Sequence, residues 1–176
     1  MLLMKKVSSR EVYSNAWMRV REDEVVLEDG SPGVFGVVDK PDFALIIACD
    51  PHGFWMVEQY RYPVERRAWE FPQGSWASGG GSQEDLARVE LREETGLHAD
   101  HLRHLGHLYC AYGFCSQGFD VYLATALRSG PADREKSEQD MRHRRVTETE
   151  FVEMVRDGRV VDAATVAAYG LLTAAR

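Results

Sequence analysis

The chain has 176 residues, 44% of them hydrophobic, which is enough for one domain with a packed core and short for two. Charged residues make up 28% and the formal net charge is -7, so non-specific binding to nucleic-acid phosphates is disfavoured. The first residues form too short an apolar run for a signal peptide, no segment approaches the roughly 20 apolar residues of a membrane span, and the three cysteines form no CxxC pair. We therefore expect a soluble, cytoplasmic protein that binds neither nucleic acid nor membrane.

The N-terminal part of the sequence predicts strands. Apolar and polar residues alternate over much of 17–27, which is the period of a half-buried strand, and turn residues at 28–33 lead to a hairpin partner at 34–40. Residues 43–50 form a continuous apolar run of strand length, and 54–62 follow after a turn. We predict these last two segments as central strands that are buried on both faces.

A helix is predicted after a glycine-rich loop near the middle of the chain. Ser82 is suited to the N-cap because acidic residues follow it, and the helix should end near Thr95 because Gly96 suits the C′ position. The remaining elements are predicted, in order, as strands at 104–112 and 118–127, a long polar loop at 129–140, a strand at 142–146, a helix capped by Thr147 and running through Arg156, and a helix at 162–172. This order of strands and helices indicates an α+β or α/β/α layered domain with a mixed sheet.

The central helix carries three glutamates at helical spacing. At roughly 100° per residue, Glu90 and Glu93 lie beside Leu86 and Glu94 follows them, so the carboxylates fall in the apolar, core-facing arc. The opposite, solvent-facing side is predicted to carry Arg88, Arg92 and Thr95. Acidic residues set into a buried face need compensation.

A divalent cation would supply that compensation. Like charges three or four residues apart on a helix disfavour one another unless a cation lies among them. Oxygen ligands completed by a phosphate suit Mg²⁺ or Mn²⁺, and the absence of nearby His and Cys argues against structural zinc. The sequence therefore predicts a divalent-metal site, with a salt-bridged, solvated helix face as the alternative.

Residues 90–97 read ELREETGL, and they match the second half of a known motif at every fixed position after its arginine. The motif is the box G-x5-E-x7-R-E-U-x-E-E-x-G-U, with U aliphatic, and the chain here resembles the Nudix hydrolases that carry it. The first half departs from the box: Val89 and Gly81 stand where the family has an arginine and a glutamate, and Gly74 fits only with one extra loop residue. In the family that arginine and that glutamate are usually described as structural partners of each other. In this chain Arg88 or Glu84 are candidates to replace them.

The resemblance extends to the ADP-ribose pyrophosphatase branch through three further runs, 59–74, 112–124 and 157–172. It implies a Nudix-type α/β/α sandwich with a mixed central sheet and an N-terminal antiparallel strand region. Residues 1–176 would form a single Nudix domain, with N-terminal strands at 1–40 and a catalytic core at 41–176. The same branch suggests a homodimer, in which the N-terminal strands take part.

The resemblance also implies roles for individual residues. The expected metal ligands are Glu90, Glu94 and the backbone carbonyl of Gln73, with Glu93 assisting. The residues expected near the substrate are Arg61 and Glu70. The acid that positions or deprotonates water is expected on the long polar loop, with Glu138 first and Asp140 second. The catalytic set is thus expected to be Glu94, Glu93 and Glu138.

Two aromatic residues bear on the substrate. Tyr112 stands where ADP-ribose pyrophosphatases usually carry a proline, and an aromatic near that place is reminiscent of dinucleoside polyphosphate hydrolases. Packing of a loop is the alternative role for this ring. Trp17 is a candidate to stack on a base, because relatives recruit that segment across a dimer interface.

A second group of potential ligands, His101, His104 and His107, recurs every three residues. In a regular strand this spacing alternates faces, so we expect these side chains not to converge and not to form a zinc site.

Taken with the resemblance, the sequence predicts an enzyme that uses Mg²⁺, or Mn²⁺, to hydrolyse the diphosphate of ADP-ribose or a related nucleoside diphosphate-sugar. The products would be a nucleoside monophosphate and a sugar phosphate. The alternatives are a dinucleoside polyphosphate hydrolase and a non-catalytic nucleotide-sensing module of the same fold. Such sensing relatives tend to lose box glutamates, whereas all three remain here.

Overall fold

The computed structural model describes residues 4–76, 80–131 and 140–176. Two units are distinguished by their internal contacts: residues 1–42 with 109–118, and residues 43–108 with 119–176. No helix among the described residues is long and apolar enough to cross a membrane.

The first unit is an antiparallel sheet of three strands, β1 (Met4–Ser14), β2 (Arg19–Leu27) and β3 (Pro32–Asp39), in that order. The hairpin formed by β2 and β3 confirms the prediction for this segment. Strand β1 was not predicted, because all eleven of its residues are exposed and it therefore lacks the alternation of a half-buried strand. The segment 109–118 joins β3 through the N–H of Val38, which donates to the carbonyl of Phe114 at 2.8 Å.

The second unit contains a mixed sheet, as predicted. Its strands are β4 (Phe43–Asp50), β5 (Gly53–Arg61), β6 (Arg66–Glu70), β7 (Gln73–Gly74), β8 (Leu97–Tyr109), β9 (Gly118–Ser129) and β10 (Arg142–Val146). The main path runs β10-β5-β4-β9-β8, with β6 paired to β5 and β7 paired to β4. Strand β4 is parallel to β9 and antiparallel to β5, β7 is antiparallel to β4, and a single 3-10 turn, Tyr62–Val64, joins β5 to β6.

The described residues include three helices that cover this sheet: α1 (Gln83–Thr95), α2 (Glu148–Arg156) and α3 (Ala163–Ala174). Alternate residues of β4 face opposite layers, since Ile46 packs in the cluster with α1 and Ile47 packs in the cluster with α2 and α3. The helices contribute fully buried side chains to these layers, including Leu86 and Leu91 of α1 and Phe151 of α2. Burying one such side chain contributes about 1.5–3 kcal/mol to the stability of the fold. Because helices pack on both faces of the sheet, this unit is an α+β domain layered α/β/α.

Two predictions about side-chain direction are wrong. Thr95, expected on the solvent side of α1, is 4% exposed. Burial is tolerated there because its hydroxyl donates to the carbonyl of Leu91 and accepts the N–H of Leu97 at 3.1 Å.

His104 and His107, expected on opposite faces of a strand, both reach Asp120. The distances to its carboxylate oxygens are 2.6 Å from Nε2 of His104 and 3.3 Å from Nδ1 of His107. Gly106 lies between the two histidines with a φ of 157°, at the point where the regular alternation of the strand is broken.

Candidate functional site

Helix α1 has well-defined ends that set the position of its glutamates. At its start, Oγ of Ser82 accepts the N–H of Asp85 at 3.1 Å, and the Asp85 carboxylate accepts the N–H of Ser82 at 3.0 Å, which is a capping box. At its end, Gly96 adopts a φ of 73° and donates its N–H to the carbonyl of Arg92 at 2.8 Å. Both caps confirm the predictions for this helix.

Glu94 lies fully buried against the segment that precedes the glycine-rich loop. Its side chain is 0% exposed, and its Oε2 accepts the backbone N–H of Gln73 at 3.3 Å. Removing a carboxylate from water costs several kcal/mol unless hydrogen bonds and a nearby positive charge compensate it. Glu94 therefore contacts Gln73 through the N–H of that residue, and not through the carbonyl that is the predicted ligand.

Glu90 meets the next residue of the same segment. A Cβ atom placed on Gly74 would collide with the Glu90 carboxylate, so any larger residue there would displace that carboxylate. Gly74 is held there by its pairing with Ala44 of β4. The backbone of 73–74 and the carboxylates of Glu90 and Glu94 therefore share one small region.

Glu93 has a different environment from the other two glutamates. Its side chain is 25% exposed and pairs with Arg92 at 3.2 Å. Of the three carboxylates, Glu94 is fully buried, while Glu90 and Glu93 are both partly buried and Glu93 is paired with an arginine.

A second charged pair, Arg61 with Glu70, is anchored on the sheet. Glu70 is 2% exposed and accepts hydrogen bonds from Nε2 of Gln59 at 2.8 Å and from the Arg61 guanidinium, whose Nε lies at 3.2 Å. Burial raises the pKa of Glu70, and this effect outweighs the opposing effect of Arg61. Burial also acts to lower the pKa of Arg61, but the carboxylates around it, Glu70 first and then Glu94 and Asp162, raise it above its ordinary value.

Asp162 is a member of this cluster that the sequence did not suggest. Its Oδ2 accepts Nε2 of Gln73 at 3.2 Å and caps α3 by accepting the N–H of Thr165 at 2.8 Å. Its charge also contributes to the raised pKa values of Arg61 and Glu70. An aspartate before an apolar helix is a recognisable N-cap, but nothing in the sequence indicates its contact with a residue 89 positions away.

Trp17 and Tyr112 belong to the first unit, with 72% and 86% of their surface exposed. Glu138 lies outside the described residues. Asp140, the second candidate on that loop, binds the guanidinium of Arg67 through both its carboxylate and its backbone carbonyl.

Gly81, one of the two positions at which the chain departs from the family box, lies beside the cap of α1. A Cβ on Gly81 would lie 2.8 Å from Oδ2 of Asp85, the oxygen that accepts the N–H of Ser82 in the capping box. Arg88, a candidate substitute, pairs with Glu84 at 2.9 Å and donates to the carbonyl of Ala99 at 2.9 Å. These contacts fix the outer side of α1 and connect it to β8.

The donor atoms near β7 fit a hard divalent cation. Within the described ranges, no three His, Cys, Asp or Glu side chains form a group that could hold a metal ion by themselves. Glu90, Glu94 and the Gln73 carbonyl are an all-oxygen set with two carboxylates, and Mg²⁺ is commonly bound by one or two carboxylates plus waters and substrate phosphates. The residues present therefore fit Mg²⁺ or Mn²⁺ bound together with a phosphate.

Most of the chain matches known domain families and known proteins. A model of the NUDIX domain matches residues 39–165, and a model of the nucleoside diphosphate sugar hydrolase N-terminal domain matches residues 4–38. The chain is 34% identical over 163 residues to an ADP-ribose pyrophosphatase of Mycobacterium tuberculosis, covering 92% of this chain and 79% of that protein. It is 29% identical over 163 residues to an ADP-ribose pyrophosphatase of Bacillus subtilis, covering 92% and 88%.

A solved structure described as that of an ADP compounds hydrolase has a TM-score of 0.86, at 18% identity, covering 97% of this chain and 92% of that one. At that identity the likeness concerns the fold, which is the one predicted from the sequence. The family of the matched domain generally uses divalent metal ions, in keeping with the oxygen donors described above.

Proposed function

The chain belongs to the Nudix family and is a Nudix pyrophosphohydrolase, and we propose that its substrate is ADP-ribose or a related nucleoside diphosphate-sugar. The observation that carries the proposal is the contact of the buried Glu94 carboxylate with the N–H of Gln73, beside the close approach of Gly74 to Glu90. Two ADP-ribose pyrophosphatases among the similar proteins support the choice of substrate. Hydrolysis would release a nucleoside monophosphate and a sugar phosphate.

The cation proposed for this site is Mg²⁺, with Mn²⁺ as a substitute, held by Glu90, Glu94 and the Gln73 carbonyl and assisted by Glu93. When bound, such a cation lowers the pKa of a water and offsets charge on the bridging oxygen. The chain itself supplies a rigid setting: Glu94 is shielded from solvent and is fixed by the Gln73 N–H. A fixed carboxylate needs no rearrangement during the reaction.

Arg61 is proposed to bind a phosphate of the substrate. Its side chain is 42% exposed, and the buried Glu70 carboxylate orients its guanidinium by accepting hydrogen bonds from it. Arginine is suited to this role because its planar donors match phosphate oxygens. Glu138 is proposed as the group that orients or deprotonates water, and the exposed rings of Trp17 and Tyr112 are proposed to stack on the base.

A homodimer is proposed through the N-terminal strands at 1–40. Strand β1 is exposed along its whole length and stands at the edge of its sheet. Exposed apolar side chains of the first unit include Val7, Val12, Tyr13, Val34 and Phe35. An edge strand and apolar groups of this kind favour association with another chain. We also propose a cytoplasmic location and a catalytic core at 41–176, as expected from the sequence.

A substrate panel tests the proposed function. The protein is incubated with Mg²⁺ and ADP-ribose, ADP-glucose, GDP-mannose or diadenosine tetraphosphate, and the products are identified by mass spectrometry. We expect AMP and ribose 5-phosphate from ADP-ribose at the highest rate. A preference for diadenosine tetraphosphate would overturn the choice of substrate. Thermal stabilisation by a nucleotide without any hydrolysis would favour the sensing module.

A further inference from the structure

The first turn of α3 holds the segment between β6 and β7 at two points. Oγ1 of Thr165, a fully buried residue, accepts the backbone N–H of Phe71 at 3.0 Å. Oδ2 of Asp162 accepts the side-chain amide of Gln73 at 3.2 Å. The same oxygen accepts the N–H of Thr165 at 2.8 Å, so the cap of α3 and the contact with Gln73 depend on one carboxylate.

Gln73 is thereby fixed from three directions. Its backbone N–H donates to Glu94, its side chain donates to Asp162, and its strand pairs with Leu45 of β4. The neighbouring residue, Pro72, accepts the N–H of Ile46 at 2.8 Å. With these partners the peptide that joins Pro72 to Gln73, and the Gln73 side chain, have little freedom to rotate.

We infer that Asp162 is a positioning residue of the site, which acts through the side chain of Gln73 to hold the backbone of that residue against Glu94. The inference rests on the proposed function, because that function assigns the carbonyl to a divalent cation. Partners of this kind, one step away from the ligands, typically change metal affinity or activity by 10–100-fold when they are removed. Asp162 is suited to the role because its cap on α3 already fixes its side chain.

The competing explanation is that Asp162 only caps α3. Serine separates the two roles, because Asp162→Ser keeps a good N-cap but is too short to reach Gln73. Asp162→Asn keeps an oxygen that can accept both hydrogen bonds while it removes the charge. Thr147→Ala is the matched control, since Thr147 caps α2 by accepting the N–H of Glu150 at 3.1 Å and takes no part in the proposed site.

The readout is binding of Mn²⁺ alone, measured from the electron paramagnetic resonance signal of the free ion, with the melting temperature recorded for every variant. We expect Asp162→Ser to weaken Mn²⁺ binding about tenfold. We expect Asp162→Asn to bind close to the wild type, and Thr147→Ala to melt earlier with unchanged Mn²⁺ affinity. Wild-type affinity in Asp162→Ser would overturn the inference, as would equal weakening in Asp162→Asn and Asp162→Ser.

A double-mutant cycle sharpens the test. Gln73→Ala keeps the carbonyl but removes the side chain that Asp162 holds, so it should weaken Mn²⁺ binding by a similar factor. Because both substitutions break the same hydrogen bond, the double variant should bind no more weakly than either single one. Losses that multiply would contradict action through Gln73.

The two proposals fail in different ways. A wild-type protein that hydrolyses ADP-ribose and binds Mn²⁺, with an unaffected Asp162→Ser variant, would refute the positioning role alone. A wild-type protein that binds no Mn²⁺ and hydrolyses no member of the panel would refute the proposed function and the inference with it.

Discussion

The two halves of α1 carry charged side chains in contrasting environments. In the first half, Glu84, Asp85 and Arg88 are exposed, and each is paired with a neighbour on the same helix or with its cap. In the second half, Glu90 and Glu94 face the backbone of β7, and Glu94 is excluded from solvent. The number of charges on a helix therefore says less about its role than their burial and partners.

The exposed charged pairs and the buried carboxylate have opposite effects on folding stability. An exposed pair such as Glu84 with Arg88 contributes about 0.3–0.5 kcal/mol, and a capping side chain about 1 kcal/mol. A buried carboxylate such as Glu94 instead opposes folding unless it is compensated, so its presence favours a chemical role. The first half of α1 should accordingly serve stability and the second half catalysis.

The largest effect is expected for Glu94→Gln. Glutamine has nearly the same shape and can still accept the N–H of Gln73, but it lacks the charge that would hold a cation. Turnover of ADP-ribose should fall by on the order of a thousandfold or more. The melting temperature should show that the protein remains folded.

Glu84→Gln is the matched control for this substitution, because it makes the same chemical change in the first half of the same helix. Its turnover should equal that of the wild type. Near-normal activity of Glu94→Gln would refute the metal assignment, and an equal loss in both variants would remove the distinction between the two halves.

A smaller loss is expected for Gly74→Ala. The added Cβ would collide with the Glu90 carboxylate and displace it, because the end of this side chain moves more easily than the helix or β7. Displacement of about 1 Å at an active site can reduce the rate about a hundredfold, so kcat/KM should fall by up to that amount. Gly36→Ala is the control, because a Cβ at Gly36 of β3 would meet no atom within 4 Å. Unchanged kcat/KM in Gly74→Ala would show that this close approach is not needed for activity.

Ser82→Ala should affect stability and leave catalysis intact. It removes the hydroxyl that accepts the N–H of Asp85, so the free energy of unfolding should fall by about 0.5–2 kcal/mol. Urea denaturation measures this loss, and kcat for ADP-ribose is measured on the folded protein. A large fall in kcat would place the first half of α1 in the chemistry and break the comparison.

The smallest effect is expected for Arg88→Gln. This substitution removes an exposed pair with Glu84 and one hydrogen bond to the carbonyl of Ala99. The free energy of unfolding should fall by about 0.5–1 kcal/mol, with unchanged kcat. A loss above about 2 kcal/mol would show that Arg88 stabilises the fold by more than an exposed ion pair does.

The sequence predicted what local chemistry determines and missed what depends on distant partners. Both ends of α1 follow from Ser82 and Gly96, whose caps act within a few residues. The contact of Asp162 with Gln73 joins residues 89 positions apart, and no periodicity carries that information. Thr95 was placed on the wrong side because a helical wheel ignores the hydroxyl that the helix backbone satisfies.

The two sheets illustrate the same limit. Strands β4 and β5 were predicted because their burial shows in their composition, whereas the fully exposed β1 carries no such pattern. The histidines of β8 approach Asp120 only because the strand is irregular at Gly106, which an ideal alternation cannot anticipate.

Removal and return of the cation tests the central claim most directly. The wild-type protein is treated with a chelator, and hydrolysis of ADP-ribose is then followed during titration with Mg²⁺, while circular dichroism monitors the fold. We expect no hydrolysis in the chelator, recovery with Mg²⁺, and a spectrum that does not change. Full hydrolysis in excess chelator would contradict the assignment of the second half of α1 to a divalent cation.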